Sequence, residues 1–193
     1  FKNRENNPLR NIDAAADISE VYLFFDYDFH NKNLSLDEIN RQVREMLSLF
    51  DNETENGKLY IDYPMVESIR YTKMLPDSNY WSYTISRKDC SKFKGLSAEF
   101  SAYDSFDFII LTENREPTEE EICMAKQNWT HLKEQNVSKA NFLCKGENVM
   151  PASKDDVLQY KIFEAQVVKY VNTDECKVSV LNAFPIFLYD YFK

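Results

Sequence analysis

Glycine is scarce in this 193-residue sequence, which contains only 3 glycines. A Gly-rich phosphate loop or a GxGxxG turn needs several glycines close together, because only glycine lets the backbone approach the phosphates closely. The sequence therefore argues against the usual loops that bind ATP or NAD.

Histidine is also scarce, and cysteine is not clustered. The chain has 2 histidines and 4 cysteines, and no two cysteines have the CxxC spacing. This argues against a structural zinc site, which needs four such ligands. Widely spaced cysteines are typical of free thiols in a reducing compartment, so we expect a cytoplasmic protein. No apolar run reaches the roughly 20 residues of a membrane span, and no signal peptide is visible, so we expect no membrane partner.

Positive charge is in deficit. The chain has 23 Lys and Arg against 32 Asp and Glu, a net charge of -9. Because phosphate contacts dominate affinity for nucleic acids, a nucleic-acid role would need metal ions, a local basic patch or a basic partner. Hydrophobic residues make up 44% and aromatic residues 15% of the chain, which is enough for a folded core.

The order of predicted elements indicates the α/β class, with a parallel βαβ sheet core followed by a mostly helical C-terminal region. A buried strand over 20–28, an amphipathic helix over 36–50 and a strand over 58–64 predict a right-handed parallel unit. Further predictions are a helix start over 65–75, a loop over 76–90, a helix within 96–114 with a strand alternative at 106–112, helices over 116–136 and 152–171, and a buried apolar tail over 178–192.

Three parts of the chain follow from this order. We expect residues 1–19 to be an arm or the remnant of an upstream part, because the sequence begins with Phe1 rather than Met. Residues 20–75 form the α/β core, and residues 76–193 form the helical region. Capping boxes predict three helix starts, and these pair Ser35 with Glu38, Thr118 with Glu121, and Ser153 with Asp156.

Two carboxylates end the first predicted strand. Strand alternation would direct Asp26 and Asp28 to the same face, and function gathers at the carboxyl ends of parallel strands. Two nearby carboxylates repel unless a cation bridges them, and hard oxygen ligands suit Mg²⁺ or Mn²⁺. The alternative is a solvated strand end that binds nothing.

Three further residues could join this pair. Glu67 follows the second strand and would supply a third carboxylate, or it is simply an acid that favours a helix N-terminus. Asp62 lies inside the second strand and could be equally close. His30 is a candidate general base or a group behind the ligands, although a loop histidine often has neither role.

The stretches VYLFFDYDFH and KLYIDYPMVESI, with the helix between them, resemble the Toprim fold of OLD-family nucleases and related antiphage defence proteins. In that family a hydrophobic strand ends in a DxD of metal ligands, and a Glu in the form P-x-x-E-x follows the next helix and strand. The resemblance covers residues 20–72 and assigns the metal ligands to Asp26, Asp28 and Glu67.

The resemblance implies an Mg²⁺-dependent nuclease with DNA or RNA as its substrate. In several such proteins an ABC-type ATPase is the partner in antiviral defence. We expect Asp26, Asp28, Glu67 and His30 to form the catalytic set for metal-assisted phosphodiester hydrolysis. Toprim enzymes also use a Glu after an earlier strand, and only Glu5 and Glu20 precede the DxD here. Either that Glu lies upstream of this sequence or the site is degenerate.

Two other functions remain open at this stage. A non-catalytic interaction module with a degenerate Toprim site would bury the apolar tail against a partner or in a homo-oligomer. A HAD-like phosphatase would use Asp26 as its nucleophile and would take a Lys and an acidic pair from SKDD at 153–156, although DYDFHNK lacks the usual Gly and Thr.

Overall fold

The fold is described from a computed structural model for residues 18–102 and 115–192. The predicted arm, apart from residues 18 and 19, and the strand alternative at 106–112 lie outside these ranges. The strands are β1 Tyr22–Asp26, β2 Asp51–Asn52, β3 Gly57–Asp62, β4 Thr84–Ser86 and β5 Lys177–Ser179. The α-helices are α1 Leu36–Leu49, α2 Arg87–Cys90, α3 Phe93–Phe100, α4 Glu119–Lys145, α5 Gln159–Gln166 and α6 Ala183–Tyr191.

The predicted βαβ unit is present. β1 and β3 pair in parallel, with Tyr22 opposite Lys58 and Asp26 opposite Asp62, and α1 connects them along the chain. Helix α1 begins where predicted because the Ser35 side chain accepts a hydrogen bond from the Glu38 N–H. The short strand β2 adds to the other edge of β3 in the antiparallel direction, so the chain has a mixed α/β fold.

Strand β1 is not the buried strand that its apolar sequence predicts. The strand order is β1-β3-β2, so in the described part of the chain β3 is the central strand. The β1 side chains Phe24 and Phe25 are 40% and 46% exposed, whereas Leu59 and Ile61 of β3 are buried. An apolar run cannot distinguish these positions, because partners distant in the sequence decide which strand is covered on both sides.

Two other predictions are wrong. The expected helix over 65–75 is only a 3₁₀-helix, Val66–Arg70. The expected loop over 76–90 contains a 3₁₀-helix, Tyr80–Ser82, together with β4 and α2. β4 pairs with β5 in an antiparallel ladder, and such short strands depend on that distant partner rather than on local sequence.

The later helices confirm most of their predicted starts. Thr118 and Glu121 form a reciprocal capping box at α4, which runs for 27 residues. The helix is capped at its C-terminal end by Gly146, whose φ of 87° lies in the left-handed region that favours glycine. Ser153 and Asp156 form a second box. It starts a 3₁₀-helix, Lys154–Val157, before α5 and a π-helical turn over Val167–Val171.

Helices cover both faces of the parallel pair. On one face, the Phe187 ring of α6 lies 4.9 to 5.6 Å from the rings of Tyr22, Phe24 and Tyr60. On the other face, Ile61 joins the core beneath α1 and α5, and its N–H donates to the Gln159 side chain at 3.2 Å. The first part of the apolar tail is therefore buried within the chain itself, whereas Tyr191 and Phe192 at its end are 49% and 61% exposed.

One hydrophobic core contains residues from both sides of the predicted boundary at residue 75. Tyr27 and Ile61 share a cluster with Phe163, Val180 and Leu181. Tyr63, which follows β3, pairs with Leu181 in both backbone directions, at 2.8 and 2.9 Å. The helices at the C-terminal end therefore contribute directly to the same core as the strands. A domain boundary at residue 75 stays a prediction from the sequence.

We predict that Phe163→Ala lowers the free energy of unfolding by about 3–5 kcal/mol, because it removes a fully buried ring from this core. Unfolding should remain a single transition, followed by circular dichroism in urea. Tyr160→Ala is the matched control on the same helix, since Tyr160 is 53% exposed, and it should cost much less. Two separate transitions in the Phe163 variant would contradict a shared core.

Candidate functional site

The carboxyl ends of β1 and β3 bring two of the acids together. Asp26 and Asp62 are register partners in the parallel ladder, and the N–H of Tyr27 donates to the Asp62 carbonyl at 2.9 Å. The register explains why a residue predicted as part of a DxD and a residue inside the next strand reach the same edge.

Asp62 is the buried member of this group, with 3% of its surface exposed. Its Oδ1 accepts hydrogen bonds from the Asn182 side-chain amide at 2.7 Å and from the Ala183 N–H at 2.8 Å. Both donors lie at the beginning of α6, where unpaired backbone N–H groups favour a carboxylate. Asp62 therefore fixes the C-terminal helix to the end of β3.

The same amide of Asn182 reaches the segment that carries Glu67. It also donates to the Val66 carbonyl at 3.1 Å and lies 3.0 Å from the Ser68 hydroxyl oxygen. The Ser68 hydroxyl donates to the Leu181 carbonyl at 3.1 Å. One side chain thus holds the 3₁₀-helix and α6 on the end of the sheet.

Electrostatic repulsion links three of the acids. The pKa of Asp62 is raised to about 7, chiefly by burial and to a smaller extent by the Asp26 and Glu67 carboxylates, while the Ala183 N–H opposes this shift. The pKa of Asp26 is also raised, chiefly by burial and then by the negative charges of Glu67 and Asp28. The Val66 N–H, which donates to Asp26 Oδ1 at 2.9 Å, partly offsets that rise.

Asp28 and His30 form a pair just beyond β1. Their Oδ1 and Nδ1 atoms are 2.8 Å apart, and 57% of the Asp28 side chain is exposed. The sulfur of Cys90 lies 3.5 Å from the same His30 nitrogen. The pKa of the Cys90 thiol is raised to about 12, chiefly by burial and to a smaller extent by Asp28 and Asp26, so this thiol is not an activated nucleophile.

Glu67 lies in the first turn of the 3₁₀-helix, as predicted, but its carboxylate pairs with a lysine instead of joining Asp26 and Asp28. Its Oε1 is 3.4 Å from Lys94 Nζ, and Lys94 is 83% exposed. Its carbonyl accepts a hydrogen bond from the Ser97 hydroxyl at 3.1 Å, which anchors α3 to this segment.

The predicted ligands gather at one edge without converging on one point. Within residues 18–102 and 115–192, no group of three or more His, Cys, Asp or Glu side chains is arranged to hold a metal ion. The reason is that Asp26 faces the Val66 N–H, Asp28 faces His30, and Glu67 faces Lys94. These side chains could bind one metal ion only if Asp28 left His30 and Glu67 left Lys94.

Two residues considered from sequence lie at the opposite end of the sheet. Glu20 precedes β1 and accepts a hydrogen bond from the Tyr22 hydroxyl at 2.9 Å, so it is separated from Asp26 by the length of the strand. Lys154, the lysine required by the phosphatase alternative, donates to the Asp190 carbonyl at 2.6 Å. Asp190 in turn pairs with Lys58 at 2.5 Å, near the amino end of β3.

A cleft of about 1000 Å³ has Asp28 in its wall, whereas Asp26, Asp62 and Glu67 are not among its lining residues. Its walls are the loop after β1, helix α2 and the turn before β5, and they include Asp28, His30, Lys32, Arg87, Lys88 and Glu175. Arg87 shapes the loop, because its guanidinium donates to the Phe29 carbonyl at 2.7 Å and to the Asn31 carbonyl at 3.1 Å.

Sequence reasoning missed Asn182 and Arg87. Asn182 had a local signal, since asparagine before a helical run is a favoured N-cap, and its Oδ1 does accept from the Phe184 N–H at 3.0 Å. Its reach to Asp62 and Ser68 had no signal, because those partners are more than 100 residues away.

No protein-family model, curated protein or solved structure matches the chain. Across the described ranges, none of the helices has both the length and the apolar composition that crossing a membrane requires.

We predict that Asp62→Asn changes how stability depends on pH. The native pKa of Asp62 is raised from 3.8 to about 7, so the native state binds an extra proton between these values. The contribution of Asp62 to the free energy of unfolding of the wild type is therefore lost as pH rises from about 4 through 7. An asparagine keeps the Oδ1 acceptor without the charge, so the variant should be more stable above pH 7, by up to roughly 4 kcal/mol, which is about three pH units at about 1.4 kcal/mol per unit.

Urea unfolding of both proteins at a series of pH values measures this effect. Asp174→Asn removes an equal charge from an exposed turn and should leave the wild-type pH slope unchanged. An Asp62→Asn profile parallel to the wild-type profile would show that Asp62 is ionised throughout.

Proposed function

We propose that the chain is a divalent-metal-dependent nuclease of Toprim type, with Asp26, Asp28 and Glu67 as ligands for Mg²⁺ or Mn²⁺. The observation that carries the proposal is the uncompensated negative charge at the carboxyl ends of β1 and β3. Within the described ranges, no Lys or Arg side chain forms an ion pair with Asp26 or Asp62 or lowers either pKa. Repelling carboxylates at such an edge are relieved by a hard cation.

The rearrangement that a metal would require is inexpensive. The Glu67–Lys94 pair involves an 83% exposed lysine, and the Asp28–His30 pair involves a 57% exposed carboxylate. Exposed ion pairs contribute about 0–1 kcal/mol, so opening these two pairs costs little. The hydrogen bond between Val66 and Asp26 uses only one carboxylate oxygen, so the other remains available.

When bound, the metal ion would acidify a water molecule and stabilise negative charge on a phosphodiester. The chain's own residues would supply the framework. The Val66 N–H orients Asp26, and the Ser97 hydroxyl fixes the backbone of Glu67. His30 lies at the cleft wall, where it can accept or donate a proton near a substrate.

Asp62 would act behind the ligands. It does not line the cleft, but its hydrogen bonds from Asn182 and Ala183 tie the end of β3 to the beginning of α6. Rigid support of this kind keeps ligand side chains near their binding geometry.

The resemblance to OLD-family and related proteins extends the proposal to antiviral defence beside a partner ATPase. The two alternatives have less support. Much of the apolar tail is buried in this chain, with Val180, Leu181 and Ile186 all buried, which weakens the case for an interaction module. The Lys154 expected by a HAD-like phosphatase lies at the amino end of the strands, far from the Asp26 that it would assist.

Metal titration and a nuclease assay test the proposal together. We predict that the wild-type chain binds Mg²⁺ or Mn²⁺ by calorimetry and cleaves DNA or RNA in a metal-dependent manner. Asp26→Asn combined with Asp28→Asn should abolish binding and lower cleavage by at least about 100-fold, the loss typical of removing a group that stabilises transition-state charge.

The matched control is Asp51→Asn combined with Glu55→Gln, which removes the same charge from the exposed turn around β2. This variant should bind metal and cleave as the wild type does. If the folded wild-type chain neither binds metal nor cleaves, the nuclease proposal is wrong and the degenerate interaction module becomes the better description.

A further inference from the structure

The cleft beside Asp28 differs in charge from the rest of this acidic protein. Its wall carries three basic side chains, Lys32, Arg87 and Lys88, in a chain with a net charge of -9. Lys32 and Lys88 are exposed. Among the described residues, none of the three has a carboxylate within 4.0 Å, so their charges are available to a ligand.

The two acids of the wall are already occupied. Asp28 pairs with His30, and Glu175 forms an ion pair with Lys177, which lowers the pKa of that glutamate. Arg87 donates to two backbone carbonyls, which are uncharged acceptors and leave its positive charge uncompensated. The wall therefore presents three unpaired positive charges directly beside the acidic edge.

We infer that this cleft binds the phosphodiester backbone of a single nucleic-acid strand through Lys32, Lys88 and Arg87, and directs it toward Asp28. The inference rests on the proposed function and deepens it, because it identifies the substrate-binding surface. Lys and Arg side chains are the usual partners of phosphate groups. An acidic chain needs a local basic patch to bind nucleic acid, and these three side chains form such a patch in the same wall as Asp28.

The size of the cleft favours a strand over a duplex. About 1000 Å³ is the upper end of the range for pockets that enclose small ligands, about 300–1,000 Å³. A few nucleotides of one strand fit such a space, whereas the side of a double helix does not. Leu34 and Cys176 add apolar surface to the wall for contact with bases.

Binding of a short fluorescein-labelled oligothymidylate, followed by fluorescence anisotropy in EDTA, tests the inference without hydrolysis. The full chain is compared with Lys32→Gln combined with Lys88→Gln between about 50 and 200 mM salt. Each lost phosphate contact reduces the slope of log affinity against log salt by about 0.7 for single strands. The double variant should therefore bind more weakly, with a slope smaller by about 1.4.

Lys126→Gln combined with Lys133→Gln is the matched control, because it removes two charges from α4, outside the cleft wall. It should keep the wild-type slope. An equal loss in both variants would mean a general charge effect and would overturn the inference, as would no measurable binding by the wild type. An oligouridylate probe distinguishes RNA from DNA, and a blunt duplex that binds as tightly as the single strand would also overturn the inference.

Competition and metal titration separate the remaining outcomes. If inorganic phosphate displaces the probe as well as unlabelled oligonucleotide at equal phosphate concentration, the cleft is a small-anion site and the inference is wrong. Mg²⁺ titration of the cleft variant shows whether the two claims stand together. Retained metal binding with lost probe binding supports both the metal site and the nucleic-acid-binding cleft. A wild type that binds the probe but no metal supports the cleft and contradicts the nuclease proposal.

Discussion

The buried carboxylate of Asp62 is the constraint on which the candidate site depends. It ends the central strand β3, and it holds the beginning of α6 through Asn182 and Ala183. The same Asn182 amide reaches the segment that carries Glu67. Taking a carboxylate out of water is costly unless donors compensate it, so the placement of α6 and of the 66–68 segment follows from this one group.

That arrangement concentrates negative charge and then places positive charge next to it. The negative charge of Glu67 raises the pKa values of both Asp26 and Asp62 at the sheet edge, while the neighbouring cleft carries unpaired lysine and arginine side chains. Asp28 belongs to both regions. A polyanionic substrate is repelled by the first region and attracted by the second, so hydrolysis by this chain would require both a cation at the acids and phosphate contacts in the cleft.

Part of the site was predictable because it follows from local rules. The apolar runs of the two strands, the Ser35 cap and the helical spacing of α1 led to a parallel β1–α1–β3 unit whose carboxyl ends meet. The convergence of the side chains was not predictable. Whether Asp28 turns to His30 and Glu67 turns to Lys94 depends on contacts between elements, and spacing along the chain contains no information about those distances.

The sequence by itself determined the starts of α1 and α4, the parallel pair and the presence of acids at its carboxyl end, because capping and hydrophobic periodicity act over a few residues. Only the tertiary structure decided that β3 rather than β1 is central and that β4 pairs with β5. It also decided that Arg87 and Lys32 share a cleft with Asp28. Each of these outcomes joins residues tens to more than a hundred positions apart, and burial of one common core, rather than local propensity, selects them.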